Sequence, residues 1–175
     1  MPIRFKTNLL KINSSTVLIF PQNVSEKLSS RGLTMVKGTI NGFSFQTTLE
    51  PDGKKSHWFE VNKTILEAIH SSASESVDLV IEQSRVWSEP KLQTDFKKAL
   101  KESTNAKTTW DDITPFARWE WIRWIGSTKN SETQIKRIKV ACSKLSAGNR
   151  RPCCFNSSQC TVPNLSHNGV LLEPN

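Results

Sequence analysis

No stretch of this chain approaches the ~20 consecutive apolar residues that a membrane helix needs. The opening MPIRFKTNLLKIN has neither an uninterrupted apolar segment nor a small-residue cleavage site. A spanning helix and a secretory leader are therefore not expected, and the cytoplasm is the expected location. Asn-x-Ser/Thr triplets, at Asn23 and Asn62 for example, are then chance matches. The sequence also lacks a Gly-rich phosphate loop, paired metal-binding carboxylates and catalytic-triad spacing. Histidine is scarce: His57, His70 and His167 are the only ones, and none has a nucleophile at motif spacing. These absences argue against an enzyme, and no cofactor is expected. Nor is there an internal repeat or a long low-complexity tract.

What is present suits one domain of ordinary size or two small ones: 175 residues, 36% hydrophobic and 23% charged, enough apolar material for a packed core. The net charge of +8 is unevenly placed. Residues 1–89 carry ten Lys+Arg against nine Asp+Glu, residues 90–151 carry fourteen against six, and Glu173 lies beyond. The positive field belongs to the second half, and such a field favours anionic partners without identifying one.

The first half has the period of strands. VLIF (17–20), TMVKGTINGFSFQTTL (34–49), HWFEV (57–61) and SVDLVIE (76–82) are rich in β-branched and aromatic residues. Val36, Gly38 and Ile40, then Phe43, Phe45 and Thr47, alternate around Asn41-Gly42, a pair suited to the positive φ angles of a type I′ turn. Pro51-Asp52-Gly53 predicts a second turn. Residues 61–72 place Ile65, Leu66 and Ile69 on one helical face. Several short strands and one helix in this length predict a small barrel closed by a helix.

The second half switches to helical period. Ser88 with Pro90 predicts a helix start, followed by a stripe of Leu92, Phe96, Ala99 and Leu100. Thr114-Pro115 predicts another. Ser131 and Gln134 have capping-box spacing, and Ile135, Ile138, Cys142 and Leu145 form a stripe that stops at Gly148. The expected fold class is α+β: a barrel domain over 1–87, a three-helix bundle over 88–151 and a polar tail over 152–175.

VKGTINGFSFQTTL, HWFEVNK and SVDLVIE together resemble a bacterial and archaeal barrel domain of unknown function, and the resemblance implies a double-split β-barrel. ITPFARWEWIRWIGSTKNSETQIKRIKVACSKLSAGNR resembles the YdeI/OmpD-associated, bacteriocin-protection family. The positions carrying this likeness are Thr114, Pro115, Arg118, Glu120, Trp121, Trp124, Ile125, Lys129, Glu132, Thr133, Arg137 and Ile138. The likeness runs over residues 5–151 in the family's two-domain order. Glu75-Ser76 stands where a Gly-Asp turn is usual, Trp119 where a polar or basic residue is common, and Phe116 where a small one is. The function this implies is non-catalytic stress or bacteriocin protection by binding. Two other readings stand beside it: a nucleic-acid-binding module in the basic half, and a small-ligand barrel or enzyme.

Candidate site residues follow from helical and strand geometry. At 100° per residue Trp121, Trp124 and Ile125 share one face, with Ile122 at its edge, and are expected in the core. Phe116, Trp119 and Arg123 lie opposite, where they form either an inter-domain contact, the favoured reading, or a partner surface. Lys136, Arg137, Lys139 and Lys144, with Arg150 and Arg151 beyond, are a candidate anion surface, although a basic helix face is more often simply solvated. Arg118, in an apolar sector, is expected in a structural ion pair. His57 with Glu60 and Lys63 is a possible barrel pocket, against the plainer reading of a structural histidine at a strand end. Cys142 is expected in the core. Cys153, Cys154, Cys160 and His167 supply enough ligands for zinc, but without a Cys-x-x-Cys knuckle a tail with oxidisable thiols, or one in which RPCCF packs on the bundle, is favoured.

Overall fold

The computed structural model describes residues 1–126, 128, 130–152 and 170–175. Contacts divide the chain into two compact units, the first taking Met1–Val86 and the 170–175 segment, the second beginning at Trp87.

Among the described residues the first unit has seven strands and two short helices: β1 (Ile3–Asn8), β2 (Leu10–Ile12), β3 (Ser15–Ile19), α1 (Gln22–Ser25), β4 (Thr34–Ile40), β5 (Phe43–Pro51), β6 (His57–Glu60), α2 (Lys63–Ile69) and β7 (Ser76–Gln83). The strands form one antiparallel sheet in the order β1-β7-β4-β5-β6-β3-β2. The sheet curls until its far strands approach. Thr7 Oγ1 donates to the Ile19 carbonyl at 3.2 Å, and the Phe5 and Phe20 rings meet edge-on at 4.8 Å. Asn41 (φ 46°) and Gly42 (φ 83°) make the expected turn between β4 and β5, with Ile40 opposite Phe43. Inside the curl pack Leu18, Phe20, Val36, Phe45, Leu49, Phe59 and Ile81, capped by Val24 of α1 and Ile65 of α2. Gly38 lets β4 and β7 close up, because a Cβ there would lie 1.9 Å from the Val80 carbonyl oxygen. Just ahead of Glu75-Ser76, Ser74 takes the left-handed conformation (φ 77°) and its amide donates to the Leu9 carbonyl. β1, β2 and α1 have no counterpart among the elements expected from the sequence.

The second unit has four helices among the described residues, not the expected three: α3 (Thr94–Glu102), α4 (Thr104–Asp112), α5 (Pro115–Gly126) and α6 (Ser131–Ser146). The added one, α4, has a polar, Thr-rich sequence with little intrinsic helix preference. It forms because Ser103 caps it, accepting from the Ala106 amide, and because Ala106 and Trp110 bury their side chains in the core. Ser88 does not start α3. That helix begins at Thr94 after Gln93, while Pro90 is buried in the segment before it. The cap of α6 is Asn130, whose side chain accepts from Thr133 N at 3.0 Å, so Ser131 is the first helical residue. Gly148 (φ 87°) ends α6 with paired 2.9 Å bonds, Gly148 N to Leu145 O and Asn149 N to Lys144 O. Phe96, Leu100, Trp110, Trp121, Ile125, Ile138 and Leu145 form the core of this unit.

Candidate functional site

His57 opens β6 with its side chain turned inward and almost fully buried. Its Nδ1 shares a short hydrogen bond with Ser25 Oγ at the end of α1, and Nε2 lies 3.0 Å from the Gly32 carbonyl. A carbonyl can only accept, so Nε2 carries the proton and Nδ1 accepts from the serine hydroxyl. Burial pushes the imidazole below its ordinary value, aided by Arg31 and opposed by the Gly32 carbonyl and Asp52. Glu60 and Lys63 do not join it. Three residues along a strand reverse the face, so Glu60 is exposed, and Lys63, also exposed, pairs with Glu67 at 3.6 Å. The pocket expected from these three residues does not form. The barrel interior beside them is packed with the apolar side chains named above.

On α5, Trp121 is fully buried and donates from Nε1 to the Arg150 carbonyl at 3.1 Å, and Ile125 is buried beside it. Trp124 is only half-buried: it meets Trp121 edge-on at 6.1 Å, and Arg137 and Lys144 stand 5.4 and 6.0 Å from its ring. The opposite face engages the segment ahead of α3. Phe116 packs edge-on against Trp87 at 4.8 Å, and Trp119 Nε1 donates to the Ser88 carbonyl at 2.6 Å. Arg123 is half-buried on the same helix. Arg118 closes the C-terminal end of α4, donating to the Trp110 and Asp111 carbonyls at 2.9 Å, and pairs with Glu89 at 2.5 Å. Glu120 is buried and ion-paired to Arg151 at 2.9 Å; burial raises its carboxyl, and Arg151 and Arg123 draw it back down.

The basic residues separate into two sets. Arg137 donates to the Trp124 carbonyl (2.5 Å), Lys144 to the Pro152 carbonyl (2.8 Å), Arg150 pairs with Asp112 (2.7 Å), and Arg151 stacks over Phe116. Lys136 and Lys139 are exposed. Ile135, expected in the apolar stripe of α6, is 48% exposed instead, because α6 is rotated to bury Ile138, Ala141 and Leu145. It lines a groove of about 460 Å³ between α3 and α6, whose floor includes Ala99 and Ile138 and whose rim carries Asp95, Lys98, Glu102 and Lys139. Neither Ser25 nor this groove was foreseen. Ser25 sits in a four-residue helix with no periodic signal, and a groove depends on how two helices pack. Cys142 is half-buried against the core, and burial raises its thiol. Cys153, Cys154, Cys160 and His167 lie outside the described residues, as does Lys129.

Each unit contains a match to a family profile. Residues 89–148 match the profile "Bacteriocin-protection, YdeI or OmpD-Associated" (OmdA), and residues 5–81 match a domain of unknown function, DUF1905. The two matches follow one another along the chain, the DUF1905 profile first and the OmdA profile second. The OmdA match opens at Glu89, the partner of Arg118, and closes at Gly148, the residue that terminates α6. None of the curated proteins compared matches the chain. No helix among the described residues is long and apolar enough to cross a membrane.

Proposed function

We propose that this protein is a non-catalytic, cytoplasmic protector of the bacteriocin-protection kind, which acts by binding a protein partner in the groove between α3 and α6. One observation carries the choice of partner: Asp95 and Glu102 stand on the same rim as Lys98 and Lys139, around the half-exposed Ile135. An apolar centre ringed by both signs of charge suits a protein surface. A phosphate backbone would meet two carboxylates there, and Arg137, Lys144, Arg150 and Arg151 already have partners within the unit.

The test is survival of bacteriocin-challenged cells producing the chain or its Ile135→Asp form. Ile135 is half-exposed, so the variant should fold, and it should lose protection. A folded variant that protects as well as the original would remove the groove from the mechanism. Lys136 and Lys139, both exposed, keep the nucleic-acid reading open to measurement. Duplex or single-strand binding that falls steeply with salt, and disappears when these lysines are replaced, would favour it instead.

A further inference from the structure

The sheet of the first unit buries side chains on its outer face as well as its inner one. In β3 and β6, Leu18 pairs with Phe59 and both enter the barrel core, so the alternate residues point outward. Val17 pairs with Glu60, Ile19 with Trp58, and in β2 Ile12 pairs with Ser15. Ile12, Val17 and Trp58 therefore share the outer face, yet each is at most 2% exposed.

The 170–175 segment is bonded to this part of the first unit at two places. The Leu171 amide donates to the Asp52 carbonyl in the turn between β5 and β6 (2.9 Å), and the Asn175 amide donates to the Lys11 carbonyl on β2 (2.7 Å). The inside of the curl is filled, so the segment lies outside. Leu171 is buried, Pro174 half-buried, and Glu173 pairs with Lys54 at 2.5 Å. The fit is incomplete: the Trp58 indole N–H is buried and has no hydrogen-bond partner among the described residues.

We propose that this face is a groove for an extended peptide and that residues 170–175 are its occupant in cis. In trans it takes an extended segment of a partner protein with the same chemistry: an apolar residue, an acidic residue two positions later, and a backbone carbonyl placed to accept from Trp58. The strap holds its place through tethering, which raises its local concentration, more than through complementarity. A better-matched segment displaces it.

A labelled synthetic peptide, Val-Leu-Leu-Glu-Pro-Asn, tests this by fluorescence anisotropy against the full chain and against the full chain carrying Leu171→Asp and Glu173→Lys. The altered strap should release the groove, so the variant should bind the peptide at least tenfold more tightly than the original chain. A peptide with Asp in place of its first Leu should not bind. Equal affinity for both chains would overturn the proposal. So would a variant that ignores the peptide and dimerises, which would assign the face to a second copy. If the double variant does not fold, the original chain still decides. Saturating peptide must speed hydrogen exchange at the Leu171 and Asn175 amides but not at Val17, and unchanged exchange at the two strap amides would refute the idea.

Discussion

Ser25 Oγ and His57 Nδ1 share a buried hydrogen bond that ties the end of α1 to the first residue of β6. With His57 Nε2 bonded to the Gly32 carbonyl, a single imidazole holds both α1 and the loop after it against the barrel. Ser25→Ala leaves Nδ1 as a buried acceptor without a donor, which costs about 1–3 kcal/mol. In a chain of this size that corresponds to a fall of roughly 2–4 °C in unfolding temperature per kcal/mol. Calorimetry of the variant checks it, and an unchanged midpoint would show that the bond contributes nothing net.

The same imidazole makes stability depend on pH. Its folded value lies below the ordinary 6.5, mainly through burial and with Arg31 adding to the effect, while the Gly32 carbonyl and Asp52 pull the other way. Above pH ~6.5 the imidazole is neutral in both states and adds no slope. As the pH falls below that point the unfolded chain takes up a proton that the folded chain resists, so stability drops until the folded value is reached. Urea midpoints at pH 5 and pH 8 should differ, with the lower at pH 5. His57→Gln can still donate to Gly32 and accept from Ser25 but does not titrate, so it should remove this part of the difference.

Gly38 gives a prediction with a large expected effect. A Cβ at this position would lie 1.9 Å from the Val80 carbonyl oxygen and 2.9 Å from Ile81 Cα, and neither backbone atom can rotate away. Gly38→Ala must therefore push β4 from β7, at the middle of a register that pairs Gly38 with Ile81. Overpacking of this kind costs about 1–3 kcal/mol, and a clash with backbone belongs at the top of that range. Chemical denaturation would measure it. A loss under ~0.5 kcal/mol would mean that the strands separate easily there.

How far these features were legible in the sequence varies with their physical origin. The β4–β5 hairpin could be read because Asn41-Gly42 supplies its own turn and the flanking residues alternate. The start of α5 at Pro115 and the stop of α6 at Gly148 are equally local. β1 has the same alternation, with Ile3, Phe5 and Thr7 half-buried and Arg4, Lys6 and Asn8 exposed, so its signal is equally local. α4 is different in kind: its residues favour helix only once Ala106 and Trp110 have a core to enter. The His57 site was half legible. The histidine could be singled out, but parity along the strand already separated it from Glu60, and Ser25 joins it only through the fold. Ile135 had the spacing of a core residue, and the rotation of α6 that exposes it depends on where α3 packs.

Trp121 and Trp124 stand on one face of α5 at adjacent turns, yet their replacement should have unequal effects. Trp121 is fully enclosed and donates to the Arg150 carbonyl. Trp121→Ala would open a cavity in the centre of the second unit and leave that carbonyl without its donor, at a cost of about 3–5 kcal/mol. Trp124 is half-buried, so less apolar surface is lost when it is truncated. Its ring also faces Arg137 and Lys144, and cation–π attraction at such partly solvated sites adds about 0.5–1 kcal/mol. Trp124→Ala should therefore cost less than Trp121→Ala, and Trp124→Phe, which keeps a ring beneath Arg137, less again. Denaturation midpoints of the three variants set the order. If Trp124→Ala proved as damaging as Trp121→Ala, the cations over its ring would be supporting far more of the second unit than cation–π attraction can supply.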